Sequence, residues 1–166
     1  MDTPILDFLR QYSEHGWVRF HMPGHKGKGM LGCEKWDITE VYGADALYEA
    51  DGIIAKSERN AAELFGTQAA IVRPQIASGT HAISLCLFGL VLPGDDIVSA
   101  TGMPYDTLQD IIGWGEGDAP VGSLREMGVS FHPVALRDGK IDLDAVENAI
   151  TPKTKLVIAQ RSRGYD

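Results

Sequence analysis

Between Arg73 and Ala82 the chain reads Arg-Pro-Gln-Ile-Ala-Ser-Gly-Thr-His-Ala, the pattern of a strand end, a tight polar turn and the first turn of a long apolar helix. Such a junction can cradle a phosphate. The first N–H groups of a helix have no intrahelical acceptor, the backbone at Gly79 lets an anion approach, and Ser78 and Thr80 add hydroxyl donors. A plainer reading stays open, in which Ser78 only caps the helix and Gly79 only turns the chain. Arg161 and Arg163 follow the last predicted strand. A guanidinium fork there could clamp a substrate carboxylate or a cofactor phosphate, and a solvated basic chain end is the alternative. His81 reads as a structural helix residue before a catalytic one.

A second segment, His21-Met22-Pro23-Gly24-His25-Lys26-Gly27-Lys28-Gly29, also carries reactive side chains. It lacks the glycine spacing and the Lys-Ser/Thr ending of a nucleotide-hydrolase phosphate loop. As a metal site it is weak, because Pro23-Gly24 prevents helical alignment of His21 with His25 and no cysteine or carboxylate pair completes a ligand set. The cluster Gly113-Trp114-Gly115-Glu116-Gly117 follows a predicted helix, whereas a dinucleotide fingerprint must follow a strand.

These residues need elements to position them. Thr3-Pro4 opens an amphipathic helix ending near Gly16, with Thr3 as cap, and residues 17–52 form a glycine-rich irregular arm. Residues 53–65 read as a helix closed by Gly66, packing through Ala61, Ala62, Leu64 and Phe65. Strands and helices then alternate, the signature of a sheet with helices against its faces. Strands are expected at 69–73, 97–101, 129–134 and 155–160, and helices at 79–90, 104–112 and from the Asp142 cap to about Ile150. The helix over 79–90 is apolar almost all round, which predicts burial against the sheet, with the Cys86 thiol inside. The organisation expected is therefore an arm unit, 1–52, and an α/β unit, 53–166. In open α/β sheets ligands bind beyond the carboxyl ends of strands, where the strand at 155–160 delivers Arg161.

The 166 residues, 44% apolar and 23% charged, suffice for one domain with a real core. A net charge of -8 argues against nucleic acid or an anionic membrane surface as main partner, so any anion must be captured locally. Two cysteines give no disulfide framework, and the N-terminus has no signal-peptide pattern, so a cytoplasmic location without a membrane partner is expected.

Two blocks of words resemble known families. Phe20-His21-Met22-Pro23-Gly24-His25-Lys26-Gly27-Lys28-Gly29, Trp36-Asp37-Ile38-Thr39-Glu40 and Ala61-Ala62-Glu63-Leu64-Phe65-Gly66 resemble the start of the ornithine/lysine/arginine decarboxylase major domain. From about Ala69 to Tyr165, the words Arg73 to Ala82, Pro104-Tyr105-Asp106-Thr107-Leu108, Gly122-Ser123-Leu124 and Gln160-Arg161-Ser162-Arg163-Gly164-Tyr165 resemble the methionine gamma-lyase or cystathionine beta-lyase-like proteins linked with aluminium resistance. Both families belong to the aspartate-aminotransferase-like superfamily that uses pyridoxal 5'-phosphate. The resemblance implies a partial three-layer α/β/α major domain with a mostly parallel sheet, and a homodimer or higher oligomer acting on an amino acid. It implies that Ser78, Gly79 and Thr80 hold the cofactor phosphate and that Tyr105 lies over its pyridine ring, with a half-buried helix-start tyrosine as the plain alternative. Asp106 would accept a helix N–H or the tyrosine hydroxyl. The arm would approach a partner subunit's cofactor. Pyridoxal chemistry also needs a Schiff-base lysine and a carboxylate at the pyridine nitrogen, and in these families both lie downstream of the matched words. Lys153 and Lys155, at the amino end of the last predicted strand, are badly placed to substitute. The reading is an incomplete lyase domain, a carbon–sulfur lyase ahead of a decarboxylase, with a non-catalytic α/β module as the alternative of another class.

Overall fold

The computed structural model describes residues 2–44 and 52–162. The chain divides into two compact units, Met1–Gln75 and Ile76–Asp166.

In the first unit, α1 (Pro4–Glu14) begins on proline, whose fixed φ and missing N–H cost nothing at that position. Thr3 does not cap it as expected. Its N–H and hydroxyl instead donate to the Asp7 carboxylate, at 3.2 and 3.0 Å. Helix α2 (Gly52–Phe65) ends at Gly66, which takes a left-handed φ of 66° that a side chain would resist. The two helices pack together, and Asp2 ties their ends through Lys56 at 3.0 Å and the Asn60 side chain at 2.9 Å. Of the expected α2 packing face, Ala62 is buried, whereas Leu64 and Phe65 are exposed. The described arm is irregular apart from one 3₁₀ turn, Glu34–Trp36.

The strand expected over 69–73 does not form. Glu58 on α2 takes the Val72 N–H at 3.0 Å and grips Arg73 through two hydrogen bonds, Nε at 2.6 Å and Nη2 at 3.1 Å. A ladder donor is thereby spent on a side chain. The Ser78–Thr80 turn follows an irregular segment, not a strand end.

The second unit is α/β. Its elements are α3 (Gly79–Leu90), β1 (Asp96–Ser99), α4 (Asp106–Ile112), β2 (Ser130–Pro133), α5 (Leu143–Ala149) and β3 (Thr154–Ile158). The sheet is parallel in the order β2-β1-β3, with Ile97 opposite both Phe131 and Leu156. Pro133 is tolerated because β2 is an edge strand and the residue closes it. Alternate residues of β1 enter opposite cores, as the two-residue period of a strand requires. Ile97 packs with Leu87, Leu108, Ile112, Leu124 and Val129 against α3 and α4. Val98 packs with Ala100, Val134 and Val146 against α5. The layering is therefore helix, sheet, helix.

One expectation about α3 fails. Leu87 is 2% exposed, but Ile83, Leu85, Phe88 and Leu90 lie between 38% and 54%, and Cys86 is exposed as well. Only one stripe of this helix meets the core.

Candidate functional site

Ser78 begins α3 with extended backbone, and its hydroxyl oxygen accepts the His81 N–H at 3.1 Å. The first intrahelical bond runs from the Ala82 N–H to the Ser78 carbonyl, at 3.0 Å. The N–H groups of Gly79 and Thr80 precede it and have no acceptor among the described residues. A side-chain carbon built on Gly79 would meet no protein atom within 4 Å. These are the attributes of an anion cradle: unpaired donors, the positive end of a three-turn helix, and open space before them. The residues fit a phosphate. His81 turns its ring back, its Nδ1 accepting the Ala77 N–H at 3.3 Å, which is a structural use.

Helix α4 brings the second part of the site. The Thr107 hydroxyl lies 3.1 Å from that of Thr80, so the starts of α3 and α4 meet. Tyr105 is the N-cap residue of α4 and is half-buried. Its N–H donates to Gln160 Oε1 at 3.0 Å. Gln160 lies just past the end of β3, and its own N–H reaches Thr101 Oγ1, just past the end of β1, at 3.0 Å. Cradle, tyrosine and glutamine are thus assembled at the carboxyl edge of the parallel sheet, where open α/β folds bind ligands. Asp106 spends an oxygen on the Thr107 N–H at 2.7 Å, an ordinary helix-start role.

Arg161 follows Gln160 at this edge and is exposed, with no ion-pair or hydrogen-bond partner among the described residues. Arg163 lies outside the described residues. Thr107 and Gln160 were not singled out as site residues from sequence. Both stand in words quoted for the resemblance, but only the folded chain brings them to Thr80 and Tyr105.

The histidine segment of the first unit forms a separate network. His25 Nδ1 accepts the Gly27 N–H at 3.0 Å, which leaves Nε2 to carry a proton toward Asp37 Oδ2 at 2.6 Å. Burial pushes the Asp37 carboxyl up, but the Thr39 hydroxyl and N–H together with His25 outweigh it and hold Asp37 at about 2. Arg19 lies over the Tyr12 ring, 4.6 Å from its centre, and donates to the Glu34 carbonyl at 3.2 Å. A side chain at Gly27 would collide with that guanidinium. Among the described residues no group of three or more His, Cys, Asp and Glu could hold a metal ion, and no helix is long and apolar enough to cross a membrane.

Comparison with known proteins places the chain among pyridoxal-enzyme-like folds. The sequence model of the methionine gamma-lyase family matches residues 41–166, beginning well upstream of Ala69. The uncharacterized protein YnbB of Bacillus subtilis (strain 168) is 53% identical over 105 residues, covering 63% of this chain and 25% of that protein. A solved structure from Listeria innocua, named as a candidate cystathionine beta-lyase involved in aluminum resistance, superposes with a TM-score of 0.63 at 48% identity. It covers 69% of this chain and 28% of its own. An arginine decarboxylase of Halalkalibacterium halodurans is 32% identical over 106 residues, 58% of this chain and 21% of that enzyme. The chain spans about a quarter of the length of these relatives.

Proposed function

This chain belongs to the methionine gamma-lyase family, and on that footing we propose that it supplies the phosphate-binding part of a pyridoxal-phosphate-dependent lyase cleaving a carbon–sulfur bond in an amino acid. The observation that carries this reading is the open α3 N-terminus at Ser78, Gly79 and Thr80, joined through Thr107 to the helix that begins at Tyr105. The N–H groups of Gly79 and Thr80 would hold the phosphate, with the Ser78 and Thr80 hydroxyls as further donors. Tyr105 would lie against the ring, and Arg161 would meet a carboxylate of the substrate. Bound pyridoxal phosphate supplies an electron sink, which eases bond cleavage around the amino acid's α-carbon. No lysine of this chain is assigned to the cofactor carbonyl. Lys153 and Lys155 stand at the amino end of β3, opposite the edge that carries Gln160. A homodimer, with the arm reaching toward a partner's cofactor, belongs to the same proposal.

A decarboxylase is the second reading, favoured by the identity to the arginine decarboxylase. For the cofactor-loaded protein, the two separate on whether a sulfur-containing amino acid releases thiol or a basic amino acid releases carbon dioxide. The shared cofactor step is tested by adding pyridoxal phosphate to the full chain. Pyridoxal phosphate bound in the site should show an induced circular dichroism band that the free, achiral cofactor lacks, and that band should vanish in the variant Ser78→Ala, Gly79→Val, Thr80→Val. A folded native chain that gives no such band favours a non-catalytic α/β module.

A further inference from the structure

We infer that Gln160 is the positioning residue for Tyr105, and that its amide oxygen fixes where the aromatic ring stands relative to the phosphate cradle; this rests on the cofactor reading above. Three bonds make Gln160 a bracket. Its backbone N–H holds Thr101 beyond β1, its Oε1 accepts the Tyr105 N–H at 3.0 Å, and its Nε2 donates to the Ser162 carbonyl at 2.9 Å. The amide orientation follows from those partners. A flipped amide would set NH₂ against an N–H and oxygen against a carbonyl, losing both bonds.

The placement matters because Tyr105 is an N-cap residue whose own side chain makes no capping bond. The first turn of α4 is held from within by Asp106 and from outside by two further ties. On one side the Thr80–Thr107 hydroxyl pair ties α4 to the cradle, and on the other Gln160 ties it to the ends of β1 and β3. The pair secures the helix at Thr107, and the glutamine secures the residue whose ring is at issue. The Gln160 side chain holds Tyr105 at its backbone N–H, so its role there is one of orientation. Removing it should weaken recognition of the ring while leaving recognition of the phosphate intact.

The experiment uses the full chain and two probes, pyridoxamine 5'-phosphate and inorganic phosphate, with dissociation constants from calorimetric titration. Gln160→Met keeps length and loses both side-chain bonds, whereas Gln160→Glu loses only the Nε2 donor to Ser162 and keeps an acceptor toward Tyr105. Loss of the bond to Tyr105 predicts roughly tenfold weaker binding of pyridoxamine 5'-phosphate by Gln160→Met, with phosphate binding unchanged within about twofold. Gln160→Glu should stay within about threefold of native, and Gln160→Met should add nothing in a Tyr105→Ala background. Equal losses on both probes, no loss on either, or a further loss in the Tyr105→Ala background would overturn the inference. A native chain that binds neither probe overturns the cofactor reading itself, and the inference with it.

Discussion

Gly79 is a residue whose missing side chain serves nothing inside the protein. Its φ lies outside the left-handed region and an added methyl would meet no atom within 4 Å, so packing and backbone both permit alanine there. Gly79→Ala should therefore leave thermal stability unchanged or raise it by about 0.5 kcal/mol, since alanine restricts the unfolded chain. The same methyl would stand where a phosphate oxygen must approach, and pyridoxal phosphate binding should fall roughly tenfold. Melting curves and a spectral titration on one sample check both. Unchanged affinity in a stable variant contradicts the cradle. Asp37 gives a prediction independent of any ligand. Its folded pKa of about 2 lies below the ordinary 3.8, so it contributes stability that is present above pH 3.8 and lost as pH falls through 2. The stability gap between native protein and Asp37→Asn should be flat at neutral pH and shrink across that window. Denaturant unfolding at several pH values measures it, and a gap constant down to pH 2 contradicts it.

Among the elements, the stretch before the cradle shows how one side chain can decide a local fold. Glu58 accepts from the Val72 N–H and from Arg73, and the Arg73 bonds hold its carboxyl below the ordinary range. Hydrogen bonds to a charged group contribute about 1.5 to 3 kcal/mol, so Glu58→Gln should speed amide exchange at Val72 about tenfold or more. Exchange unchanged in that variant would show that Glu58 does not hold the segment. This is also where sequence reading failed. Ile71-Val72 looks like strand, and nothing local reveals that a carboxylate 14 residues earlier takes its donor. Where the signal is local, reading succeeded: Asp142 caps α5 by accepting the Ala145 N–H, and Gly66 closes α2. Apolar character misled at α3, because a helix apolar on all sides does not say how many layers cover it, and Cys86 is exposed. The helix start at Ser78 was legible, since its hydroxyl caps the helix that follows. Gln160 was not, because its partners Thr101 and Tyr105 are 59 and 55 residues away.

On the scale of the whole molecule, the α/β unit is built so that loops from distant parts of the chain converge on one edge. Parallel strands send β1 and β3 to the same side, and their ends carry Thr101 and Gln160. Helix α3 brings its N-terminus to α4 through the threonine pair, so two helix starts 27 residues apart in sequence become neighbours at this edge. The exposed apolar residues of α3, Ile83, Leu85, Phe88 and Leu90, lie outside this arrangement. The chain spans about a quarter of the length of its relatives, and the proposed phosphate cradle is the part of the account that can be tested on it directly. That test is a titration of pyridoxamine 5'-phosphate into the ¹⁵N-labelled full chain, following backbone amides by NMR. The account predicts saturable shifts that are largest at the Gly79 and Thr80 amides, the two donors left open at the start of α3. Saturable shifts concentrated elsewhere, with those two amides unmoved, would contradict it.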